Sequence, residues 1–299
     1  MYLIDIFHMR DREMQYLDEF RFAPIDQEEQ FLNYIRSTCY DTFYPFGVLS
    51  ARGFRSISFE PLTILYGGNG CGKTTALNNI AEKLGAERDT LYNRSSFYED
   101  YLRMCSYEKG HGKPEEIRII TSDDVFDFML NLRSLNEGLD EKRKELFEEY
   151  TDARYSKFRM RSLDDYEQLK KVVSARKKSS SQSKYVRENM MGNVREHSNG
   201  ESAFIYFTEK IGQNSIYLLD EPENSLSPER QMELSEYLEN SVRFYGCQII
   251  MATHSPFLLS MKGARIYDLD ENPVDIKRWT QLQSVRATFE FFMKHQNEF

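Results

Sequence analysis

Leu62-Thr63-Ile64-Leu65-Tyr66-Gly67-Gly68-Asn69-Gly70-Cys71-Gly72-Lys73-Thr74-Thr75 runs from an apolar segment through a glycine-rich turn. It leads into Ala76-Leu77-Asn78-Asn79-Ile80-Ala81, which reads as a helix. Strand, turn, Lys-Thr and helix start in this order match G-x-x-x-x-G-K-[ST], a phosphate-cradling loop. Glycines let backbone N–H groups turn inward around a phosphate. The helix start adds unpaired donors and the positive end of a dipole. Lys73 offers a compact charge for β- and γ-phosphates, and the Thr74 hydroxyl is the expected Mg²⁺ ligand. Gly67, Gly68, Asn69, Gly70, Cys71, Gly72, Lys73, Thr74 and Thr75 are therefore the expected nucleotide-binding residues. A plain glycine-rich strand-to-helix turn is the bland alternative, and the full spacing with both flanks disfavours it.

The 299 residues allow one or two domains, and 14% aromatic content supplies a core to bury. A net charge of −9 argues against broad coating of nucleic acid or anionic membrane. Cys39, Cys71, Cys105 and Cys247 form no C-x-x-C pair, which favours a reducing compartment over a disulfide framework or zinc site. Cys71, inside the loop, is an expected point of attack for thiol reagents. The apolar start Tyr2 to Phe7 is interrupted by Asp5 and is too short for a signal peptide. No run approaches the ~18 apolar residues of a membrane span. A soluble, cytoplasmic protein with no membrane association is expected.

Along the chain, Asp26-Gln27-Glu28-Glu29 before Phe31 to Ile35 predicts a helix with an acidic first turn. Val48 to Phe59 alternates loosely and turns at Glu60-Pro61 into the strand that feeds the nucleotide loop, which predicts that these are two strands of a small antiparallel layer beside that loop. Residues 86–116 are polar, with a loop at Gly110 to Pro114; Ile117 to Ile120 reads as a short strand, and Thr121-Ser122-Asp123-Asp124 as a helix N-cap. Val125 to Tyr150 predicts one long helix, or two broken at Gly138. Residues 151–196 are basic, and Ser174 to Lys184 is of low complexity. From 200 onward helices (201–211, 228–241, from 256) alternate with strands (215–219, 247–252, 265–269). Such alternation indicates a parallel α/β sheet. The expected organisation is 1–85, an N-terminal β layer with the phosphate-loop part of the core; 86–196, a mostly helical insertion; and 197–299, the rest of the core. Val285 to Met293 is amphipathic and expected to pack.

Ser215 to Leu219 is an apolar strand followed by Asp220-Glu221-Pro222. Ligands of open α/β sheets lie at strand carboxyl ends, which suits Asp220 to Mg²⁺ and Glu221 to accepting a proton from an attacking water. Alone, Asp-Glu-Pro is usually a solvated turn; beside the phosphate loop it reads as the second half of a nucleotide site.

Asp220-Glu221-Pro222-Glu223-Asn224-Ser225-Leu226-Ser227-Pro228, Ala252-Thr253-His254-Ser255-Pro256 and Ser198-Asn199-Gly200-Glu201 together resemble the ABC-type ATPases of the SMC/RecF group, including small AAA-family ATPases of bacteria. The likeness covers about 46–84 and 194–270, and it implies an ABC-type P-loop fold. It implies that Ser198 and Gly200 belong to a signature that touches ATP bound to a second subunit. By the same likeness His254 senses the γ-phosphate and joins Lys73 and Glu221 in catalysis, and Glu223 to Pro228 crosses a dimer interface. An ATP-sandwich homodimer hydrolysing ATP with Mg²⁺, coupled to a protein effector, is the function implied. DNA repair, phage defence and toxin control are its settings. A nucleotide-gated module with little turnover and a transporter subunit are the alternatives. The basic run 170–187 raises contact with DNA or RNA, although charge runs are usually solvated faces. One departure stands out: the glutamine this group carries after the strand 117–120 is missing, which leaves Asp123 or Asp124 as a substitute or as a plain cap. Tyr44, Phe43 and Phe54 are candidates for stacking on adenine.

Overall fold

The computed structural model of the chain describes residues 15–35, 40, 42–155 and 199–298. The chain divides into two compact units, one made of residues up to 126 together with those from 199 onward, the other of 127–198.

In the first unit, β3 (Leu62–Tyr66), β6 (Ile216–Asp220) and β7 (Gln248–Ala252) are five-residue runs buried at every position. Continuous apolar runs suit strands covered on both faces, as in parallel sheets. With β5 (Ile117–Thr121), β8 (Arg265–Asp268) and β9 (Asp275–Ile276) they form a six-stranded sheet in the order β5-β6-β7-β3-β8-β9. All neighbours pair in parallel except the edge pair β8–β9. The register sets Thr121 beside Asp220, Asp220 beside Ala252, and Ala252 beside Leu65. The carboxyl ends of four strands therefore open onto one edge, where the loops that follow them meet. The fold is the expected α/β class.

Helices cover the sheet: α2 (Lys73–Leu84), α5 (Asn199–Lys210), α6 (Pro228–Tyr245) and the single turn α7 (Pro256–Leu259). On α2, Ala76, Leu77, Ile80 and Ala81 are fully buried at helical spacing. Each large apolar side chain removed from water in this way contributes about 1.5–3 kcal/mol before entropy is subtracted. Ser227 caps α6 by accepting from Arg230 N, with Pro228 at the first helical position.

A second, antiparallel sheet has the order β2-β1-β4, from β1 (Leu17–Arg21), β2 (Ser56–Ser58) and β4 (Ser106–Lys109). It corrects the reading of Val48 to Phe59. Only 56–58 pair as a strand; Leu49 is fully buried in a turn, and β3 belongs to the parallel sheet instead. The Glu60-Pro61 link carries the chain from one sheet to the other rather than reversing it within one. Gln248, fully buried, joins the two layers. Its Oε1 accepts from Tyr16 N (3.0 Å) and Leu17 N (2.9 Å), and its Nε2 donates to Leu17 O (2.8 Å).

The N-terminal helix α1 (Ile25–Ile35) has the predicted acidic first turn, and the polar stretch before β5 contains α3 (Tyr98–Met104). α4 (Ser122–Tyr155) is continuous over 34 residues, about 50 Å at 1.5 Å per residue. Gly138 does not break it; the space where its Cβ would stand is open. α8 (Gln283–Lys294) packs less than its pattern predicts. Val285 is buried, whereas Phe289, Phe291, Phe292 and Met293 are each more than half exposed. Among the described residues no helix is long and apolar enough to cross a membrane.

Candidate nucleotide site

The glycine-rich loop leaves β3 at Tyr66 and enters α2 at Lys73, as its sequence requires. Gly72 holds φ 102°, and a Cβ there would stand 2.9 Å from Leu49 Cδ2 and 3.3 Å from Val48 Cγ1. A Cβ on Gly67 would meet Cys71 Sγ at 2.7 Å. Both positions need glycine for space as well as for backbone angle.

Lys73 is buried, with its ammonium folded over the loop. It donates to Gly67 O at 2.7 Å and Gly68 O at 3.3 Å, and lies 2.8 Å from His254 Nε2. The same Nε2 lies 3.3 Å from Glu221 Oε1. An imidazole nitrogen is either donor or acceptor. Nε2 can accept from Lys73 or donate to Glu221, but not both at once.

Asp220 ends β6 almost buried, and its Oδ1 has no hydrogen-bond partner. Burial pushes its carboxyl up to about 6; the Thr74 hydroxyl that donates to it pulls the other way, Glu221 raises it further, and Lys73 opposes. Glu221 takes a left-handed backbone, φ 50°, with its N–H on Ala252 O at 2.9 Å. Non-glycine residues held there cost on the order of 1–3 kcal/mol and cluster at functional sites. Its Oε2 accepts from Asn224 Nδ2 at 3.1 Å. Among the described residues no group of three or more His, Cys, Asp or Glu could hold a metal ion. Mg²⁺ would instead take the orphaned Asp220 oxygen and the Thr74 hydroxyl. These are hard oxygen donors of the kind it accepts beside substrate phosphates, so the residues fit it.

The three strand ends thus bring Lys73, Thr74, Asp220, Glu221 and His254 together. Gly200 lies elsewhere. A Cβ on it would come 3.5 Å from Ser225 O and 3.9 Å from Ser227 N, so the start of α5 rests on the turn after β6 of its own chain. Ser198 and the basic run 170–187 lie outside the described residues.

Other expectations resolve locally. Asp124 is a capping residue: its Oδ2 accepts from Thr121 N (2.6 Å) and Thr121 Oγ1 (2.9 Å), while Thr121 Oγ1 accepts from Asp124 N. Asp123 is exposed. Of the aromatic candidates, Tyr44 is beside the loop, its hydroxyl 3.2 Å from Thr75 Oγ1. Phe43 stacks on Phe97, and Phe54 is core, against Phe22 and Tyr267. Cys71 is 2% exposed and burial pushes its thiol up, so it is shielded from thiol reagents rather than open to them.

One residue, Asp270, escaped sequence reasoning, and another, Glu223, was expected only at a dimer interface and not on the His254 loop. Asp270 accepts from Gly68 N with both carboxylate oxygens (2.9 and 2.8 Å), because β8 pairs with β3 and Leu269 N reaches Tyr66 O. Nothing in the sequence states that register. Glu223 accepts at one oxygen, Oε1, from Thr253 Oγ1 (2.7 Å), His254 N (2.6 Å) and Ser255 N (3.1 Å). Its place within Asp-Glu-Pro-Glu was the available signal.

A family profile described as "AAA domain, putative AbiEii toxin, Type IV TA system" matches residues 198–260, which hold β6, Asp220, Glu221 and His254. No curated protein matches the chain. Among solved structures, the chain is similar to a metal-chelate type ABC transporter in an inward-facing conformation, at 17% identity and a TM-score of 0.37, covering 79% of this chain and 82% of that one. It is similar to the Smc head domain with an extended coiled coil bound to the C-terminal domain of ScpA, from Pyrococcus furiosus. There the identity is 14% and the TM-score 0.37, over 79% and 95% of the two chains. A nucleotide-free ATP-binding cassette from an ABC transporter is alike at 13% identity and TM-score 0.37, over 79% and 87%.

Proposed function

We propose that this chain is an ABC-type ATPase that binds ATP between two copies of itself and hydrolyses it. The observation that carries the reading is the meeting of Lys73, His254 and Glu221 within 3.3 Å of one imidazole nitrogen, beside the buried Asp220. In this reading the backbone amides of Gly67 to Thr75 hold the phosphates, and Lys73 exchanges its loop carbonyls for β- and γ-phosphate oxygens. Asp220 and Thr74 would hold Mg²⁺, which when bound offsets phosphate charge. Glu221 takes the proton of the attacking water, and His254 orients that water against the γ-phosphate.

The dimer rests on two supports. The motif order resembles enzymes whose signature serves a partner's nucleotide. Gly200 also lies on the Ser225–Ser227 turn of its own chain, so a described residue of the signature and the turn adjoin. Closure on ATP and opening on hydrolysis would then move whatever is attached, a form of γ-phosphate switching. Of the three settings, the profile's description favours toxin control, with a separate protein effector. Nucleic-acid contact through 170–187 stays a subordinate proposal, tested by salt-dependent DNA binding and its loss when Lys170, Lys171, Arg176, Lys177 and Lys178 are neutralised.

The deciding experiment compares wild type, Lys73→Ala and Glu221→Gln in ATP binding, phosphate release and mass by light scattering. Glu221→Gln should bind ATP, accumulate as dimer and turn over about 100-fold more slowly or worse. A Glu221→Gln protein that stays monomeric at saturating ATP sinks the sandwich.

A further inference from the structure

We infer that Glu223 is a positioning residue for His254, setting the imidazole through the backbone of the loop that carries it. The inference rests on the ATPase reading of the site only for its kinetic consequence. Its structural basis is independent.

Residues 253–255 lie between the last residue of β7 and the first of α7; Thr253 N still donates to Leu65 O of β3 at 3.3 Å, whereas the N–H groups of His254 and Ser255 have no ladder or helix partner of their own. Glu223 supplies the acceptor. One carboxylate oxygen takes the Thr253 hydroxyl and the amides of His254 and Ser255, all within 3.1 Å. The contact to His254 N, at 2.6 Å, is the shortest of the three, and charged acceptors make the stronger hydrogen bonds. Thr253 Oγ1 in turn accepts from Ser255 N at 3.0 Å, which closes the loop on itself. A second strut runs alongside: Ser255 Oγ donates to Gln231 Oε1 at 2.7 Å, and Gln231 Nε2 donates to Leu226 O at 3.0 Å. With the His254 backbone held this way, the ring has one short reach, to Lys73 at 2.8 Å and Glu221 at 3.3 Å.

Glu223 itself sits in the turn whose neighbours are Glu221 and Asn224, and Leu226 N donates to Glu223 O at 3.0 Å. The turn after β6 and the loop after β7 are thus joined by one side chain. Its other oxygen, Oε2, is buried without a partner, so all the hydrogen bonding passes through Oε1. An amide oxygen can take the same three donors, which makes glutamine the conservative replacement.

The test uses full-length wild type, Glu223→Ala, Glu223→Gln, His254→Ala and the Glu223→Ala/His254→Ala double variant. Glu223→Ala is expected to lose kcat by about tenfold or more with ATP affinity within about threefold, and Glu223→Gln to recover most of that loss. The double variant is expected to be no slower than His254→Ala alone, because neighbours that act through one another are not additive. Multiplied losses, a Glu223→Gln as slow as Glu223→Ala, or an ATP affinity that falls as far as kcat would each overturn the inference. A second readout needs no turnover. The His254 ring proton resonance, assigned by its disappearance in His254→Ala, should shift or broaden in Glu223→Ala and return toward wild type in Glu223→Gln. An unchanged resonance in Glu223→Ala overturns the inference. The expected ring response in the Glu223 variants, together with a wild type that shows no ATP turnover, fails the ATPase reading alone. Should Glu223→Ala not fold, Thr253→Val removes one donor and keeps the carboxylate. A smaller shift in the same direction supports the inference, and a wild-type resonance and kcat overturn it.

Discussion

Lys73 Nζ and His254 Nε2 stand 2.8 Å apart although 181 residues separate them in the chain. β3 and β7 are adjacent parallel strands, so the loop after each opens at the same level of the sheet. A lysine that enters a helix and a histidine that leaves a strand then meet over the glycine-rich loop. The site is a product of strand order.

His254→Ala should therefore separate chemistry from binding. ATP affinity is expected to stay within a few-fold, because the loop amides and Lys73 remain. Phosphate release should slow by about 100-fold, the lower end of what a positioned acid–base group contributes. Stopped-flow binding of a fluorescent ATP analogue beside a phosphate assay reads both. Equal losses in the two would place His254 in binding instead.

Asp220 makes stability depend on pH in a defined direction. Its folded carboxyl titrates near 6, above its ordinary value of 3.8, so between those values the folded chain holds more protons than the unfolded one. Stability contributed by this group is present below pH 4 and is lost as pH rises through 6. At pH 7.5 the cost is on the order of 3 kcal/mol. Asp220→Asn should thus melt higher than wild type at pH 7.5, with the gap closing toward pH 4. Mg²⁺ should raise the wild-type melting temperature above pH 6 and not in the variant. A gap that widens on acidification would reverse the assignment.

Gly72→Ala tests the loop itself. The added methyl would stand 2.9 Å from Leu49 Cδ2 on a backbone at φ 102° that L-residues rarely adopt. A loss of about 2 kcal/mol or more in urea unfolding, together with loss of ATP binding, is expected. Gly138→Ala, in open space within α4, serves as the control and should be neutral or stabilising by about 0.5–1 kcal/mol.

Gln248→Met keeps side-chain length but removes the acceptor shared by Tyr16 N and Leu17 N and the donor to Leu17 O. Buried backbone groups left unpaired cost about 1–3 kcal/mol each. Hydrogen exchange should show the amides of residues 16–21 losing protection before those of β3 and β7. Uniform loss across both sheets would mean that the antiparallel layer is not separately held.

The elements after residue 200 were legible because each carries its own signal. β6 and β7 lie within one residue of the predicted limits, and α6 extends four residues further, to Tyr245. The antiparallel layer was less so. β2 is three residues long, and its partners lie 35 or more residues away in sequence, at Leu17–Arg21 and, through that strand, at Ser106–Lys109. Short strands with distant partners have no local periodicity to read. Asp124 was ambiguous for a related reason: Thr-x-x-Asp is a cap by local chemistry, and the bonds from Thr121 to its Oδ2 appear only once the chain is folded.

What the sequence by itself determined is the chemistry available: a glycine-rich loop with its lysine and hydroxyl, two carboxylates after an apolar strand, and a histidine after another. These are local patterns, written in consecutive residues and dictated by backbone angle and side-chain type. Tertiary structure decided which groups touch. It placed Asp270 on Gly68 N, set one imidazole nitrogen between Lys73 and Glu221, and closed Glu223 on the His254 loop. Those contacts depend on sheet order and register, which follow from how buried strands pack against one another rather than from any single stretch of residues.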